Sequence, residues 1–339
     1  MSRWWGDIDA RARGLDAHLP GPARLRALAG RGSPAELARD LAAEGILPGG
    51  GRVTGAGELD AGIRRWAAGR LALLERRMGS RRAAAARVVL EEEDRRSLRT
   101  LLRGAAAGTR PALRHAGLVP TSRLSAPALE ELSRASDVAD LARALERFGH
   151  PAARVLSAAS TATVPDLFGL EVALDRAWAA RAVDGARRAG PELRSFVREA
   201  VDVANAWTAL TLCVAPGEVP AAEVFLVGGG RIGPGLLDRA FATGSREEAA
   251  RVLAPAFRNG PLAPLLTPDL PAAGWERAAL GLRAAAWHRR GRTSPLGPAP
   301  FLAFSLRLRA AVVDLSRLAW AAALGAPDDV ALGGLRRPS

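Results

Sequence analysis

The chain has 339 residues, of which 48% are hydrophobic, and its formal net charge is +13. This length is sufficient for one large or two ordinary domains with their own core, and a mean hydropathy of +0.02 excludes both a disordered chain and a protein made of membrane spans. All the residues in the Lys+Arg count are arginine, which excludes a Walker A lysine, a Schiff base and a Ser-Lys dyad. The one cysteine, Cys213, excludes an intramolecular disulfide.

A charge of +13 is typical of proteins that bind nucleic acid or an anionic surface. In this chain, however, the arginines are spread along the sequence and interleaved with aspartate and glutamate, as on solvated helix faces. The absence of lysine and tyrosine also indicates a general compositional bias. We therefore predict no nucleic-acid partner. Residues 1–14 carry charges where a signal peptide needs an apolar stretch, which predicts a cytoplasmic location.

In chain order, the predicted elements are mostly helices. Ser33 to Glu36 form a capping box, in which a serine N-cap precedes a proline and is followed by glutamate three residues later. Residues 80–104 and 128–149 are rich in helix-favouring residues and have apolar positions at three- and four-residue spacing. Residues 203–217 predict a buried helix that is too short to span a membrane.

One pattern recurs three times along the chain. Segments that begin at Ser33, Ser136 and Ser245 each pass through acidic residues to an Ala-Arg pair, with leucine two residues after the arginine. Residues 118–145 also align without a gap on residues 226–253. Such self-similarity indicates a protein built from repeated units.

Two further landmarks repeat in the same order. A tryptophan amid small residues recurs at Trp66, Trp178 and Trp287, and we expect it to belong to the core. The segments around Asp94, Asp202 and Ala311 also correspond. We predict an all-α fold with three pseudo-repeats, which are larger than solenoid repeats and could instead close around an axis. The predicted repeats cover residues 1–116, 117–224 and 225–339.

A glycine-rich loop is the one conventional enzyme motif. Gly228, Gly230 and Gly233 form G-x-G-x-x-G after a strand-like stretch, as in dinucleotide-binding loops. Pro234 follows at once, no parallel-sheet pattern surrounds the loop, and the equivalent loop of the middle repeat has no glycine. We therefore predict a structural connection and no bound nucleotide or other cofactor. Replacing Gly230 by alanine distinguishes the two interpretations, because only the nucleotide-dependent enzyme would be damaged.

Polar residues at helical spacing offer a second candidate site. Asp94 with Ser97, and Asp202 with Asn205, each share a helix face. No nucleophile, second carboxylate or histidine is clearly placed beside them, so we predict hydrogen bonds between helices or to loops. The four histidines lie far apart without the spacing of metal ligands, and we predict no metal site.

These segments resemble the C subunit of archaeal and bacterial V-type ATP synthases, which is equivalent to subunit d of vacuolar ATPases. WWGDIDARARGL is similar to that family's Tyr-x-x-Asn-Ala-Arg-x-Arg opening, and EEDRRSLRTLLRGAAAG is similar to its acidic helix. VDVANAWTALTL, EVFLVGGGRI and the closing segment from Ser294 to Val330 follow in the family's order. The resemblance covers nearly the whole chain.

The resemblance implies a funnel-shaped, pseudo-threefold rotor subunit without enzymatic activity. It would lie at the cytoplasmic face of the membrane, in one copy per complex, between the membrane proteolipid ring and the central-shaft subunits. A basic helical-repeat protein that binds nucleic acid or an anionic surface is the alternative. Six residues keep the family pattern and are candidates for partner binding or for stabilising the fold: Arg11, Arg13, Asp94, Arg99, Asp202 and Asn205.

The sequence departs from the family pattern at five positions. Trp5 and Asp9 replace the opening tyrosine and asparagine, and Trp207 replaces an arginine. Ala311 and Ser316 stand where an acidic residue and an arginine are usual. These changes predict altered contacts with neighbouring subunits.

Overall fold

The structure is a computed structural model, and it describes residues 5–47, 53, 55–159, 166–214, 219–267 and 270–327, with the side chains of residues 81, 159 and 273 outside this description. Within these ranges the protein consists of α-helices and one 3-10 helix, and no β-strand is present. The predicted all-α fold class is therefore confirmed. None of the described helices is long and apolar enough to cross a membrane.

The chain divides into two compact units. Unit 1 comprises residues 1–77, 92–135 and 287–339, and unit 2 comprises residues 78–91 and 136–286. This division rests on spatial compactness, whereas the predicted division into three repeats is a statement about internal similarity.

Unit 1 is organised around the last helix that the structure describes. Its helices are α1 (Gly6–Asp16), α2 (Pro22–Ala29), α3 (Pro34–Ala43), the first part of α4 (Ala56–Leu90), α5 (Glu92–Ala106), α6 (Pro111–Ala116), α7 (Ala126–Ser133), the end of α15 (Ala272–Thr293) and α16 (Ala299–Leu324). Helix α16 packs against α1, α2 and α3. It is apolar on most of its circumference, and Phe301 and Phe304 are fully buried. Trp5 stacks on Phe301 with ring centroids 5.8 Å apart.

Unit 2 contains the remaining helices. They are the second part of α4, α8 (Val138–Arg147), α9 (Ala152–Ala159), α10 (Leu167–Ala189), α11 (Pro191–Leu212), α12 (Ala221–Val224), α13 (Pro234–Phe241), α14 (Arg246–Phe257), the 3-10 helix Ala263–Leu266 and most of α15. Helix α11 packs against α10, α13 and α14. The core between them includes Leu237, Leu253, Phe257 and Trp275.

The serine cap of α3 is present where the sequence predicts it, but the glutamate of the predicted capping box binds the residue before the serine. Ser33 accepts a hydrogen bond from the backbone N–H of Glu36 at 3.3 Å. The Glu36 carboxylate in turn accepts from the N–H of Gly32 at 3.1 Å, one residue before the serine. Two backbone donors at the start of α3 are thus satisfied by side chains.

The second recurring serine does not cap its helix. Asp137 is the N-cap of α8 and accepts from the N–H of Asp140 at 2.7 Å. Ser136 instead donates its N–H to the Asp140 carboxylate at 3.0 Å. Aspartate is at least as good a cap as serine, which explains why α8 begins one residue later than the repeated pattern indicates.

The two core predictions from the sequence are confirmed. Trp66, Trp178 and Trp287 are 9%, 4% and 0% exposed. Residues 203–212 lie in α11, with Ala206, Ala209 and Leu210 buried, while the end of the predicted segment, residues 215–217, lies outside the described residues.

Cys213 provides a probe of unit 2. Its side chain is fully buried in the core of that unit, and burial raises the pKa of the thiol. Because the thiolate is the reactive form, we expect native protein to react with a disulfide reagent at least about 100-fold more slowly than a free thiol. Reaction should become complete in denaturant. A rapid reaction of the native protein, followed by absorbance, would contradict the buried placement.

Candidate functional site

Asp202 anchors the glycine-rich loop. The carboxylate projects from α11 and is 2% exposed. It accepts hydrogen bonds from three consecutive backbone N–H groups, those of Gly230 at 2.9 Å, Arg231 at 3.0 Å and Ile232 at 3.1 Å. The loop therefore folds around a carboxylate that belongs to the protein, as expected for a carboxylate that binds a cluster of N–H donors.

The neighbouring glycines make this close approach possible. Gly228 has φ +115°, and an added Cβ would overlap the side chain of Val183 on α10. At Gly229 an added Cβ would overlap Oδ1 of Asp202. At Gly230 the nearest atom would be Nε of Arg198, at an ordinary distance of 3.6 Å. The first two positions thus require glycine, whereas the third does not.

This geometry argues against the dinucleotide interpretation. The N–H groups that would face a pyrophosphate already bind Asp202, and the strand-like stretch before the loop contains the helical turn Ala221–Val224 instead of a strand. A phosphate at this position would have to displace a carboxylate of the same sign. The loop connects α12 to α13, as the sequence predicts.

A matched pair of alanine substitutions tests the loop. We expect Gly229→Ala to lower the free energy of unfolding by about 2 kcal/mol, because the new Cβ displaces the Asp202 carboxylate. Gly230→Ala should change it by less than about 1 kcal/mol. Denaturant unfolding, followed by Cys213 reactivity, measures both. Equal effects of the two substitutions would show that the loop is not held against Asp202.

Asn205 fixes the start of the same loop. One turn beyond Asp202, its amide donates to the carbonyl of Leu226 and accepts from the N–H of Leu226, both at 2.9 Å. Asn205 is fully buried, so these two bonds satisfy a side chain that would otherwise be costly to bury. The hydrogen bonds to a loop that the spacing predicts are therefore present.

Asp94 performs the equivalent task in unit 1. It is buried near the start of α5 and accepts from the hydroxyl of Thr121. Thr121 also accepts from the N–H of Leu124 at 3.0 Å. In unit 1 the hydroxyl of Thr121 therefore links the Asp94 carboxylate to the loop backbone. In unit 2 the corresponding residue is Gly229, and the Asp202 carboxylate binds the loop backbone directly. Ser97, which corresponds to Asn205, is buried, and its hydroxyl has no hydrogen-bond partner among the described residues.

Unit 1 also contains a buried ionic cluster that the sequence analysis did not identify. Arg64 is 5% exposed and binds Asp60 at 2.8 Å and Glu93 at 2.7 Å. Its third nitrogen donates to the carbonyl of Gly117 at 2.8 Å. Asp60 also accepts from Ser316 at 2.5 Å. The i,i+4 spacing of Asp60 and Arg64 could have indicated an ion pair between them. An arginine-rich sequence does not indicate, however, that this particular arginine is buried.

The three arginines among the sequence candidates do not take part in the hydrogen bonds of Asp94, Asp202 or Asn205 described above. Arg11 and Arg13 are exposed on α1, and Arg13 donates to the carbonyl of Gly291 at 3.2 Å. Arg99 is half-buried on α5. The structure thus brings Asp202 and Asn205 together against one loop of unit 2, whereas the three arginines belong to unit 1.

The departures from the family pattern take part in packing. Trp207 lies 5.0 Å from the ring of Trp275, and the guanidinium of Arg246 lies 5.3 Å from the Trp207 ring. Asp9 is 1% exposed. Ser316 belongs to the ionic cluster of Arg64, so a short hydroxyl there contacts Asp60 where a longer side chain is usual.

A comparison with protein families gives a match over most of the chain. The family model described as ATP synthase (C/AC39) subunit matches residues 8–331, and no curated protein gives a significant match. Among the described residues, no group of three His, Cys, Asp or Glu side chains could hold a metal ion. The family is the AC39 subunit of V/A-type ATP synthases, a structural and peripheral subunit of a membrane-associated rotary ATPase. This match covers nearly the whole length of the chain, so the chain belongs to the ATP synthase (C/AC39) subunit family.

Proposed function

We propose that the chain is a non-catalytic rotor subunit of the central stalk, which links the central shaft to the membrane proteolipid ring. One copy would sit on the cytoplasmic face of the ring and transmit rotation between ATP turnover and ion transport. The observation that carries this proposal is the family match over residues 8–331.

The arrangement of the polar residues supports a mechanical role. A part that transmits torque must keep its loops and helices in place under load. The buried carboxylates Asp94 and Asp202 each hold a loop against a helix, and Arg64 ties α4 to α5 through Glu93. Buried, hydrogen-bonded polar groups of this kind favour a single, rigid arrangement.

The same residues support the absence of catalysis. Asp202 is committed to three backbone N–H groups and Asn205 to Leu226, so neither is oriented for acid or base chemistry on a substrate. The proposed partners are accordingly protein subunits, with no nucleotide or metal bound by this chain.

Deletion of the gene in its native cells tests this function. We expect the deletion strain to keep ATPase heads in its soluble fraction, while its membrane vesicles lose ATP-driven ion accumulation, measured with an ion-gradient dye. Expression of the wild-type chain, or of Gly230→Ala, should restore accumulation. Ion accumulation at the wild-type rate in the deletion strain would contradict the rotor role.

A further inference from the structure

A cavity in unit 2 is lined by α10 and α12. Its volume is about 380 Å³, which lies within the range of small-molecule sites in proteins. Its apolar wall includes Phe168, Val172 and Val224. Its charged lining residues are Asp166, Arg176 and Glu223. The cavity therefore joins an apolar wall to a small number of charged groups, as ligand sites do.

Arg176 of this cavity corresponds to Arg64 of the buried ionic cluster in unit 1. Each arginine lies two residues before one of the recurring, buried tryptophans. Each also donates to a backbone carbonyl oxygen at the end of a short helix. Arg64 binds that of Gly117, after α6, at 2.8 Å, and Arg176 binds that of Glu223, in α12, at 3.2 Å. The two guanidinium groups thus hold equivalent places in the two units.

The carboxylates that neutralise Arg64 have no counterpart beside Arg176. Arg64 pairs with Asp60, four residues before it, and with Glu93, directly before the carboxylate that holds the loop. The corresponding residues of unit 2 are both valines: Val172 and Val201. Among the described residues, Arg176 binds the carbonyl oxygen on α12 and forms no ion pair with a carboxylate. Unit 2 thus keeps the cation without either anion, which suits Arg176 to an external carboxylate.

The apolar wall gives the second property of such a ligand. Phe168 is 46% exposed, although it is aromatic. Phe168, Val172 and Arg176 follow one another at four-residue spacing, so they lie along one face of α10 over about 12 Å of helix. A ligand with its carboxylate at Arg176 and an unbranched apolar chain along this face would remove the Phe168 ring from water.

The two acidic lining residues leave room for this carboxylate. Asp166 precedes α10, about 15 Å of helix away from Arg176, and its carboxylate lies over the first turn, where a Cβ at Gly169 would overlap it. Glu223 is exposed and does not form an ion pair with Arg176. Two carboxylates on the cavity wall disfavour a multiply charged anion such as phosphate, whereas a single carboxylate in contact with the guanidinium gains more than it loses.

We propose that this cavity binds a small amphiphilic carboxylate, with the carboxylate on Arg176 and the apolar chain along Val172 and Phe168. The ligand takes the place that Asp60 and Glu93 occupy beside the equivalent arginine of unit 1. This site goes beyond the proposed rotor function, which requires only protein partners.

Titration calorimetry of the full chain with octanoate tests the proposal. At neutral pH we expect saturable binding with a dissociation constant of about 1 mM. Butyrate keeps the carboxylate but has a shorter chain, so it should bind at least about 10-fold more weakly. Octylammonium keeps the chain but reverses the charge, and it should also bind at least about 10-fold more weakly. Equal binding of octanoate and octylammonium would overturn the proposal, because the apolar chain alone would then account for binding.

Two substitutions test the role of Arg176. Arg176→Met removes the cation and should weaken octanoate binding by about 10-fold. Val172→Asp supplies a carboxylate four residues before the arginine, as in unit 1, and should weaken binding at least as much because the new anion occupies the guanidinium. Arg187→Met, at an exposed position of α10 outside the cavity lining, is the matched control and should bind within about twofold of the wild type.

Folding of each variant is checked by circular dichroism and by the slow reaction of Cys213. Octanoate binding that is the same in the wild type and in both cavity variants would overturn the proposal, and so would the absence of saturable binding to the wild type. The titration uses the isolated chain and measures no ion pumping, so failure here is distinguishable from failure of the rotor function.

Discussion

Asp202→Ala should lower the free energy of unfolding of unit 2 by about 3 kcal/mol. The substitution removes the acceptor of three backbone N–H groups, and the N–H of Ile232 belongs to a buried residue. An unsatisfied buried donor costs its full desolvation energy. Denaturant unfolding followed by the reactivity of Cys213, which lies in the same unit, measures the change.

Two further variants make this test specific. Asp202→Asn keeps one oxygen acceptor but turns an amide NH₂ towards the loop donors, so we expect an intermediate loss of stability. Asp238→Ala removes an exposed carboxylate from the neighbouring α13 and should change stability by less than about 0.5 kcal/mol. If Asp202→Ala were as stable as Asp238→Ala, the anchored loop would not contribute to the fold.

Arg64→Met should destabilise unit 1 by about 3–5 kcal/mol at neutral pH. Methionine keeps much of the side-chain volume but removes the buried cation that binds both Asp60 and Glu93, and the cation that remains nearby, Arg96, is half exposed and 3.7 Å from Asp60. An uncompensated charge in a buried site is more costly than the loss of an exposed ion pair. Arg65→Met, at the adjacent exposed position of α4, is the matched control and should be nearly neutral.

The pH dependence identifies the cause of this loss. Burial raises the pKa of Glu93, and Arg64 opposes that shift. Without Arg64 the pKa of Glu93 should rise further, so the carboxyl becomes neutral at a higher pH in the folded variant. A raised pKa stabilises the folded state as pH falls through it. The difference between Arg64→Met and wild type should therefore be smaller near pH 5 than near pH 7, and equal differences would contradict an electrostatic origin.

The sequence predicted the helices and the core tryptophans because both depend on local patterns. Periodic apolar residues gave the all-α class, and the repeated position of Trp178 and Trp287 identified buried rings. The serine cap at Ser33 was also predictable, since its partner lies three residues away. The family pattern then pointed to Asp94, Asp202 and Asn205, although their roles required the structure.

The sequence could not predict contacts that join distant segments. Arg64 contacts Glu93 and the carbonyl of Gly117, and Arg13 contacts the carbonyl of Gly291. In a chain with so many arginines, nothing local distinguishes a buried guanidinium from a solvated one. The recurring serine pattern also did not identify the cap of α8, because Ser136 and Asp137 are both good N-cap residues and Asp137 takes that position.

Co-purification tests the proposed rotor role most directly. The chain is tagged in its native cells, membranes are solubilised in mild detergent, and the proteins that remain bound in near-stoichiometric amounts are identified. The account predicts recovery of a proteolipid ring together with central-shaft and ATPase-head subunits. Recovery of the chain alone from the soluble fraction, or with nucleic acid that dissociates at high salt, would contradict the rotor assignment.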